Sequence, residues 1–282
     1  MSGNVKGFFT DTTLCIGCKA CEVACKQWNE LPSDGLDFSG NSYDNTLHLS
    51  GTTWRHVSFV ERTGVAGDAD HPLAQDRWSM MSDVCKHCTH AGCMEACPTG
   101  AIIRNEFGDV FVQPDICNGC GYCVPSCPFG VVDLISKNGD YNRATVRAER
   151  TDVGALQGSG GVAGKCTLCY DRQKSGATPA CAKACPTESI QFGDVEELKQ
   201  RARARVEHLA QRGQAAYLYG VDERTSIGDL NAFFLLTEPA QAYNLPSRPV
   251  LPSTHQPAAY ASVAIAAGLL AVLGVGIFKG RL

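Results

Sequence analysis

The sequence predicts an α+β fold of two small cysteine-rich modules, one nested within the other, followed by a single C-terminal helix. Three observations support this: sixteen cysteines fall into four groups of four, short alternating stretches separate the groups, and the final segment carries no charge. The chain has 282 residues, which is room for one large domain or two small ones. Its net charge of −4 offers no basic face for nucleic acid.

The third cysteine group has the most specific spacing. It runs Cys117-x2-Cys120-x2-Cys123-x3-Cys127 and is followed by Pro128. In ferredoxins with this C-x2-C-x2-C-x3-C-P run, three thiolates hold one [4Fe–4S] cluster and the fourth thiolate reaches a second cluster. The run therefore predicts half of a ferredoxin-like module, and a matching run is expected elsewhere in the chain.

Three more groups vary the same spacing and leave no cysteine over. They are Cys15, Cys18, Cys21 and Cys25; Cys85, Cys88, Cys93 and Cys97; and Cys166, Cys169, Cys181 and Cys185. The last two of these end in Cys-Pro, whereas Lys26 follows the first. A disulfide framework is typical of small secreted chains, and structural zinc sites lack the third cysteine and the closing proline. The spacing favours iron–sulfur ligation over both alternatives.

The ferredoxin rule assigns each fourth cysteine to the partner cluster. Groups two and three are adjacent and should pair, and groups one and four should then pair across the chain. The prediction is four [4Fe–4S] clusters with all sixteen cysteines as iron ligands. The four ligand sets, numbered I to IV, are Cys15, Cys18, Cys21 and Cys185; Cys25, Cys166, Cys169 and Cys181; Cys85, Cys88, Cys93 and Cys127; and Cys97, Cys117, Cys120 and Cys123.

This pairing predicts the domain boundaries. Residues 1–82 with 137–238 form an outer ferredoxin-like module, and residues 83–136 form an inner one. A proline-rich arm at 239–257 is expected to act as a stiff spacer. Residues 258–278 are uncharged and apolar, close to the ~20 residues that cross a bilayer, and predict a single transmembrane helix.

The sequence predicts no catalytic site on this chain. Every cysteine is used as a ligand, and no Ser–His–Asp pattern, dinucleotide fingerprint or zinc-protease motif is present. The glycine-rich stretch 158–165 departs from a phosphate-binding P-loop, because Ser159 stands where glycine is needed and Cys166 where Ser or Thr is needed. No nucleotide is therefore expected.

Periodicity predicts several regular elements. Asp194 should cap a helix whose apolar stripe contains Val195, Leu198, Ala202, Val206 and Leu209, and Gly213 should end it. Strands are expected at 54–60 (paired with the region of Trp78), 100–103, 110–112, 217–219 and 231–236. Residues 137–165 are expected to be a linker.

Charged residues near the ligands allow two interpretations. Lys86 and His87 lie between Cys85 and Cys88, where a positive charge would raise a cluster potential. A solvated loop pair is the alternative. The arginines at 201, 203, 205 and 212 are expected to form a solvated helix face, and the histidines at 56 and 71 to be solvated or structural.

The whole pattern resembles the four-cluster electron-transfer subunits of molybdopterin oxidoreductases, in particular the iron–sulfur (beta) subunit of membrane-bound formate dehydrogenase of the N type. The stretches that carry the resemblance are 15–29, 120–129, 165–171 and 179–187, with the helix after residue 194 and the C-terminal segment. The likeness covers nearly the whole chain. The linker at 140–164 looks longer, and the N-terminal extension shorter, than in that subunit.

The resemblance implies partners that the sequence alone does not show. Electrons would arrive at set I from a catalytic subunit with a molybdenum or tungsten bis-pterin. They would leave near set IV toward a membrane cytochrome b (gamma) subunit and quinone. Nitrate reductase beta subunits replace one cysteine of the third group by tryptophan, and here all four cysteines are present.

Two alternatives to the formate interpretation stay open. One is the equivalent subunit of another respiratory molybdopterin reductase or of a hydrogenase, and the other is a free membrane-tethered polyferredoxin. The expected location is the cell (inner) membrane. Lys279 and Arg281 follow the apolar segment and weakly place the C-terminus in the cytoplasm and the head on the periplasmic side.

Overall fold

The structure is a computed structural model that describes residues 5–33, 40, 43–62, 77–135, 161–222 and 224–279. A four-stranded sheet forms its centre. Strand β1 (Lys6–Asp11) pairs in parallel with β10 (Ala232–Leu236) and antiparallel with β8 (Ile190–Asp194), and β9 (Tyr217–Tyr219) forms the edge beside β10. The strand order is therefore β8-β1-β10-β9. Strands β9 and β10 were predicted, and β1 was not.

Strand β1 divides the core into two layers. Because successive side chains of a strand point to opposite faces, Phe8 and Phe9 enter different clusters. Phe9 stacks on Phe233 at 5.5 Å in the apolar core. Phe8 packs on the other face among the thiols of Cys21, Cys85 and Cys166. The sheet therefore separates an apolar core from the cysteine-rich part of the molecule.

The predicted helix after residue 194 is confirmed. This helix, α5, spans Val195–Gln211, and the Asp194 carboxylate accepts hydrogen bonds from the backbone N–H groups of Glu196 (3.1 Å) and Glu197 (3.3 Å). The stripe residues Leu198 and Ala202 are fully buried. The helix packs on β1 and covers the apolar side of the central sheet.

Three two-stranded hairpins surround the thiols. The two predicted hairpins are present: β2 (Arg55–Arg62) pairs with β3 (Arg77–Val84), and β4 (Ile102–Arg104) pairs with β5 (Val110–Val112). The third hairpin joins β6 (Asp133–Ile135) to β7 (Val162–Gly164). The prediction that 137–165 is a linker throughout is therefore wrong at its end, because β7 closes on β6. Residues 136–160, with most of that linker, lie outside the described residues.

Four short helices carry cysteines or follow them. They are α1 (Ala20–Trp28), α2 (Gly92–Glu95), α3 (Tyr170–Lys174) and α4 (Ala180–Lys183). Helices α1 and α4 pack against each other. This contact brings the first and last cysteine groups together although more than 130 residues separate them in the chain.

The proline-rich arm lies on the head. Tyr243, Leu245 and Leu251 are buried in the apolar core, and Ser253 Oγ donates to Glu95 Oε2 at 2.9 Å. The expectation of a stiff spacer between the head and the C-terminal helix is therefore wrong at these residues, because their apolar side chains are buried in the core of the head.

Helix α6 (Gln256–Lys279) contains the segment predicted to span a membrane. Within the described residues, no helix is both long and apolar enough to cross a bilayer. The transmembrane prediction for 258–278 is not confirmed. The boundaries of the nested modules also stay a prediction.

Candidate iron–sulfur sites

All sixteen cysteines are free thiols, and those of the two outer sets each line a cleft. Cys15, Cys18, Cys21 and Cys185 line one cleft, and Cys97, Cys117, Cys120 and Cys123 line another. Each cleft thus collects three cysteines of one group and the fourth cysteine of its partner group.

The two inner sets are more deeply buried. Burial, with the thiols of Cys25, Cys169 and Cys181 among its neighbours, raises the pKa of Cys166 well above the ordinary thiol value. Burial likewise raises the pKa of Cys88, and the neighbouring thiols of set III, Cys85, Cys127 and Cys93, add to the shift. These thiols hold their protons until a metal displaces them, so we expect iron binding to release protons.

A left-handed residue recurs in the first C-x-x-C loop of each of the four groups. It stands directly before the second cysteine: Gly17 (φ 67°), His87 (φ 44°), Gly119 (φ 72°) and Leu168 (φ 53°). At Gly119 a Cβ atom would lie 2.2 Å from the Gly161 carbonyl oxygen, so only glycine fits there. The turn wraps the backbone around the thiols and points N–H groups toward sulfur, as when Leu168 N–H donates to Cys166 Sγ at 3.2 Å.

The x3 spacing links neighbouring sets. Cys21 and Cys25 stand one helical turn apart on α1, so they face the same side of the helix. Cys21 belongs to set I and Cys25 to set II. Cys93, in α2, and Cys97, just after it, connect sets III and IV in the same way. A single turn of helix therefore fixes two adjacent sets relative to each other.

The sets follow one another in the order I, II, III, IV. Burial raises the pKa of Cys21 to about 12, and the nearby thiol of Cys181 in set II adds to the shift. Burial likewise raises the pKa of Cys166 in set II, and Cys85 of set III adds to that shift. Burial also raises the pKa of Cys123 in set IV, and Cys93 of set III adds to that shift. The outer sets reach the surface, with Cys18 exposed at one end and Cys120 half-buried at the other, whereas all four thiols of set II are buried.

Polar groups aimed at sulfur test whether these residues fit iron–sulfur clusters. Ser82 Oγ lies 3.2 Å from Cys21 Sγ, Arg55 Nη2 donates to Cys181 Sγ at 3.2 Å, and Ala163 N–H donates to Cys117 Sγ at 3.4 Å. Soft thiolate ligands supported by such donors are what cluster sites use. In the described part of the chain, no three His, Cys, Asp or Glu side chains are grouped closely enough to hold a single metal ion. The donor set fits the cluster.

The charges between Cys85 and Cys88 are not a solvated loop pair. Lys86 and His87 are each 1% exposed. Lys86 pairs with Asp83 at 2.5 Å, and burial followed by the charge of Lys165 holds the pKa of His87 well below its usual value. The solvated-loop alternative is therefore wrong. Burial raises the pKa of Cys88 and of Cys127, and the charge of Lys86 opposes this rise, so a positive charge beside the ligands stays the prediction for Lys86.

Three other expectations concern single side chains. His56 is structural, because it is buried and its Nε2 lies 2.9 Å from Asp44 Oδ2. His71 lies outside the described residues. Arg205 departs from the solvated face predicted for α5, because its Nε donates to the buried Asp11 carboxylate at 2.9 Å.

The polar residues that contact the thiols or lie among them were not predicted from the sequence. Arg55 on β2 and Ser82 on β3 are far in sequence from the sulfurs that they contact. Lys165 is buried directly before Cys166, and its Nζ donates to the carbonyl oxygens of Val110 and Cys166. The only sequence signal for Lys165 was its place next to a ligand position.

Thr99 and Thr187 each end a Cys-Pro-Thr pattern, which was not used to predict the sites. Each threonine hydroxyl lies 3.7 Å from the sulfur of the cysteine in its own pattern.

Fold and thiols together define an iron–sulfur protein with four [4Fe–4S] clusters. Two family profiles, each described as a 4Fe–4S dicluster domain, match residues 14–101 and residues 76–159 with 156–195. These matches include all sixteen cysteines.

Comparison with curated relatives identifies the family within the class of iron–sulfur proteins. The formate dehydrogenase iron–sulfur subunit of Haemophilus influenzae is 37% identical over 85% of this chain and 68% of that protein. The formate dehydrogenase-O iron–sulfur subunit of Escherichia coli is 36% identical over 86% of this chain and 72% of its own length. A subunit of the E. coli anaerobic dimethyl sulfoxide reductase is 30% identical over 69% of this chain and 76% of its own length. The chain belongs to the family of formate dehydrogenase iron–sulfur subunits. This membership confirms an electron-transfer subunit without a catalytic site of its own.

Proposed function

We propose that this chain relays electrons from a formate-oxidising subunit with a molybdenum or tungsten bis-pterin to a membrane cytochrome b and quinone. Each [4Fe–4S] cluster, when bound, accepts and releases one electron. The chain's own residues position the clusters, tune them and keep water away from the inner ones. The order of the four thiol sets is the observation that carries the proposal, because it joins an exposed end at set I to a half-buried end at set IV through a buried middle.

We assign the ligands by the same geometry. Sets I to IV each hold one cluster, with the fourth cysteine of each group serving the neighbouring set. The clefts at sets I and IV, and the mutual pKa effects within sets II and III, support this assignment.

The position of the C-terminal arm on the head supports an orientation of the relay relative to its partners. The arm before α6 packs beside α2, since Pro252 lies against Gly92 and Ser253 bonds to Glu95. Helix α2 and the residue Cys97 after it contribute to sets III and IV. Set IV is therefore the end nearest a membrane partner, and set I, with Cys18 and Ile16 exposed, faces the catalytic subunit.

Membrane attachment through α6 is the second part of the proposal. The described side chains of α6 from Tyr260 to Val272 are all exposed, and the large apolar ones are 61–71% exposed. These exposed large apolar side chains suit a bilayer or another apolar helix. We place the head on the periplasmic side of the inner membrane, as the charges after the helix suggest.

Purification through a tag on this chain tests the assembly. We expect about sixteen irons per chain beyond those of any partner, together with molybdenum or tungsten and formate-dependent dye reduction. A complex that reduces a sulfoxide and does not couple formate to dye reduction would favour the reductase alternative, for which the relationship to a dimethyl sulfoxide reductase subunit is the specific observation. Full iron on a chain that purifies alone would leave a polyferredoxin.

Cys123→Ser tests the relay itself. Cys123 is buried in set IV, so this change should remove or damage that cluster alone. We expect formate-to-quinone transfer to be lost while formate-to-dye transfer at the other end survives. Ser126→Ala is the matched control, because Ser126 Oγ bonds to the Tyr122 carbonyl oxygen of the same loop. Undiminished quinone reduction in Cys123→Ser would show that set IV is not on the path.

A further inference from the structure

Arg55 is a buried cation between two thiol sets. It lies on β2 and is 1% exposed. Its Nη2 donates to Cys181 Sγ of set II at 3.2 Å. Its Nη1 donates to Ser82 Oγ at 3.4 Å, and that hydroxyl lies 3.2 Å from Cys21 Sγ of set I. One guanidinium group thus contacts set II directly and set I through a single hydroxyl.

No carboxylate forms an ion pair with Arg55 in the described part of the chain. A buried ion without a counter-charge is strongly unfavourable, and the Phe8 ring, 4.7 Å from Cζ, offers only partial compensation. The side-chain groups that Arg55 does reach are the sulfur of Cys181 and, through the Ser82 hydroxyl, the sulfur of Cys21. Both sulfurs become thiolates when they ligate iron, so the ligated clusters supply the counter-charge of Arg55.

Lys165 occupies the next boundary in the same manner. It is 2% exposed, and its Nζ is held by the carbonyl oxygens of Val110 and Cys166. Lys165 directly precedes Cys166 of set II, and its side chain also hydrogen-bonds to Cys85 of set III. Within the described residues it makes no ion pair with a carboxylate either. The two cations separate set I from set II and set II from set III.

We propose that Arg55 and Lys165 are positioning residues that raise the reduction potentials of the clusters beside them. Arg55 acts on the clusters of sets I and II, and Lys165 acts on the clusters of sets II and III. This inference rests on the ligand assignment proposed above. A cluster held by four thiolates is negatively charged and becomes more negative on reduction. A fixed cation in a low-dielectric interior therefore stabilises the reduced form. It also screens the repulsion between two reduced neighbours.

Potentiometric titration of the purified complex, followed by electron paramagnetic resonance, tests the proposal. Signals are assigned first through serine variants of one exclusive ligand per set: Cys18, Cys169, Cys88 and Cys120. In Arg55→Gln we expect the equilibrium constant for reduction to fall at least about tenfold at sets I and II, or about 59 mV for one electron. Lys165→Gln should do the same at sets II and III, and set IV should not move in either variant.

Three further variants separate charge from structure. Arg55→Lys keeps the charge and should recover part of the shift. Ser82→Ala removes only the link to Cys21 and should lower the potential of set I alone. Arg203→Gln removes an equal charge from an exposed pair with Asp222 and should change no potential.

Several outcomes would overturn the proposal. One is an iron-replete Arg55→Gln complex with unshifted potentials at sets I and II, and another is an Arg55→Lys variant shifted as far as Arg55→Gln. If Arg55→Gln fails to bind iron, an unchanged set I potential in Ser82→Ala overturns it instead. Failure of the ligand assignment looks different, because the wild-type complex would then lack four signals or the serine variants would remove the wrong ones.

Discussion

Three residues in left-handed backbone conformation stand three positions after the last cysteine of a group. They are Gly100 (φ 66°), Gly130 (φ 61°) and Glu188 (φ 54°). The N–H of each bonds to the carbonyl oxygen of that cysteine, at 3.3, 3.1 and 3.4 Å. The same turn is thus built twice with glycine and once with glutamate, and only the glutamate carries a steric penalty for it.

Exchanging these residues should change stability in opposite directions. Gly130→Ala has open space around its Cβ, so it should cost only the left-handed strain, about 1 kcal/mol. Glu188→Gly should stabilise the protein by about 0.5–1 kcal/mol, since relief of strain exceeds the added chain entropy. The measurement is the temperature at which cluster absorbance is lost. Glu188→Ala is the control, because it removes the charge but keeps the strain. An equal gain in Glu188→Ala would assign the effect to charge and contradict the argument.

The cysteine positions were predictable one by one, and their surroundings were not. The x3 spacing of Cys21 and Cys25 states that both face one side of a helix, whatever the rest of the fold. Arg55 is 126 residues from the sulfur to which it donates. No local pattern encodes that contact, because it depends on how α1 packs against both β2 and α4. The burial of Lys86 and His87 was hidden for the same reason.

At the scale of elements, helix and strand bounds were predicted correctly where residues of the same segment determine them. Helix α5 begins at a capped residue and ends before Gly213, whose φ of 72° stops it. Strand β1 was missed because its residues Lys6–Asp11 show no clear alternation and gain their place only by pairing with β8 and β10. Strand β7 was missed because its pairing with β6 joins segments on either side of the residues 136–160.

Asp194→Ala tests how much the cap of α5 contributes. The change removes two hydrogen bonds to orphan N–H groups and a negative charge at the positive end of the helix, so we expect a loss of about 1 kcal/mol in the free energy of unfolding. Thermal unfolding monitored by circular dichroism measures it. Glu207→Ala, on the exposed face of the same helix, should leave stability nearly unchanged. A loss of the same size in both variants would mean that removal of a negative charge from this helix, not loss of the cap hydrogen bonds, is responsible.

For the whole molecule, topology brings distant cysteine groups together. The parallel pair β1–β10 and the α1–α4 contact join the start of the chain to residues beyond 180, next to the first and last cysteine groups. The nested pairing was predicted from the ferredoxin spacing alone. The position of the arm after residue 239 was not predicted. Tyr243 and Leu251 are buried in the apolar core, and that core is formed by residues far from them in the sequence.

The proposed attachment through α6 makes a prediction about the complete protein. A chain lacking residues 258–282 should keep about sixteen irons, because the described side chains from Tyr260 to Val272 are exposed and the arm that completes the core is retained. It should appear in the supernatant after ultracentrifugation of cell membranes, with formate-dependent dye reduction but without quinone reduction.

A replacement variant is the control for this truncation. Replacing 258–278 by an unrelated uncharged apolar segment of equal length should restore membrane association if the helix acts through hydrophobic burial alone. If the head stays membrane-bound without any C-terminal segment, α6 is not the anchor. If the replacement restores binding to the membrane but not quinone reduction, the side chains of α6 dock on the cytochrome partner, and the small residues Ala264 and Gly268 become the next positions to enlarge.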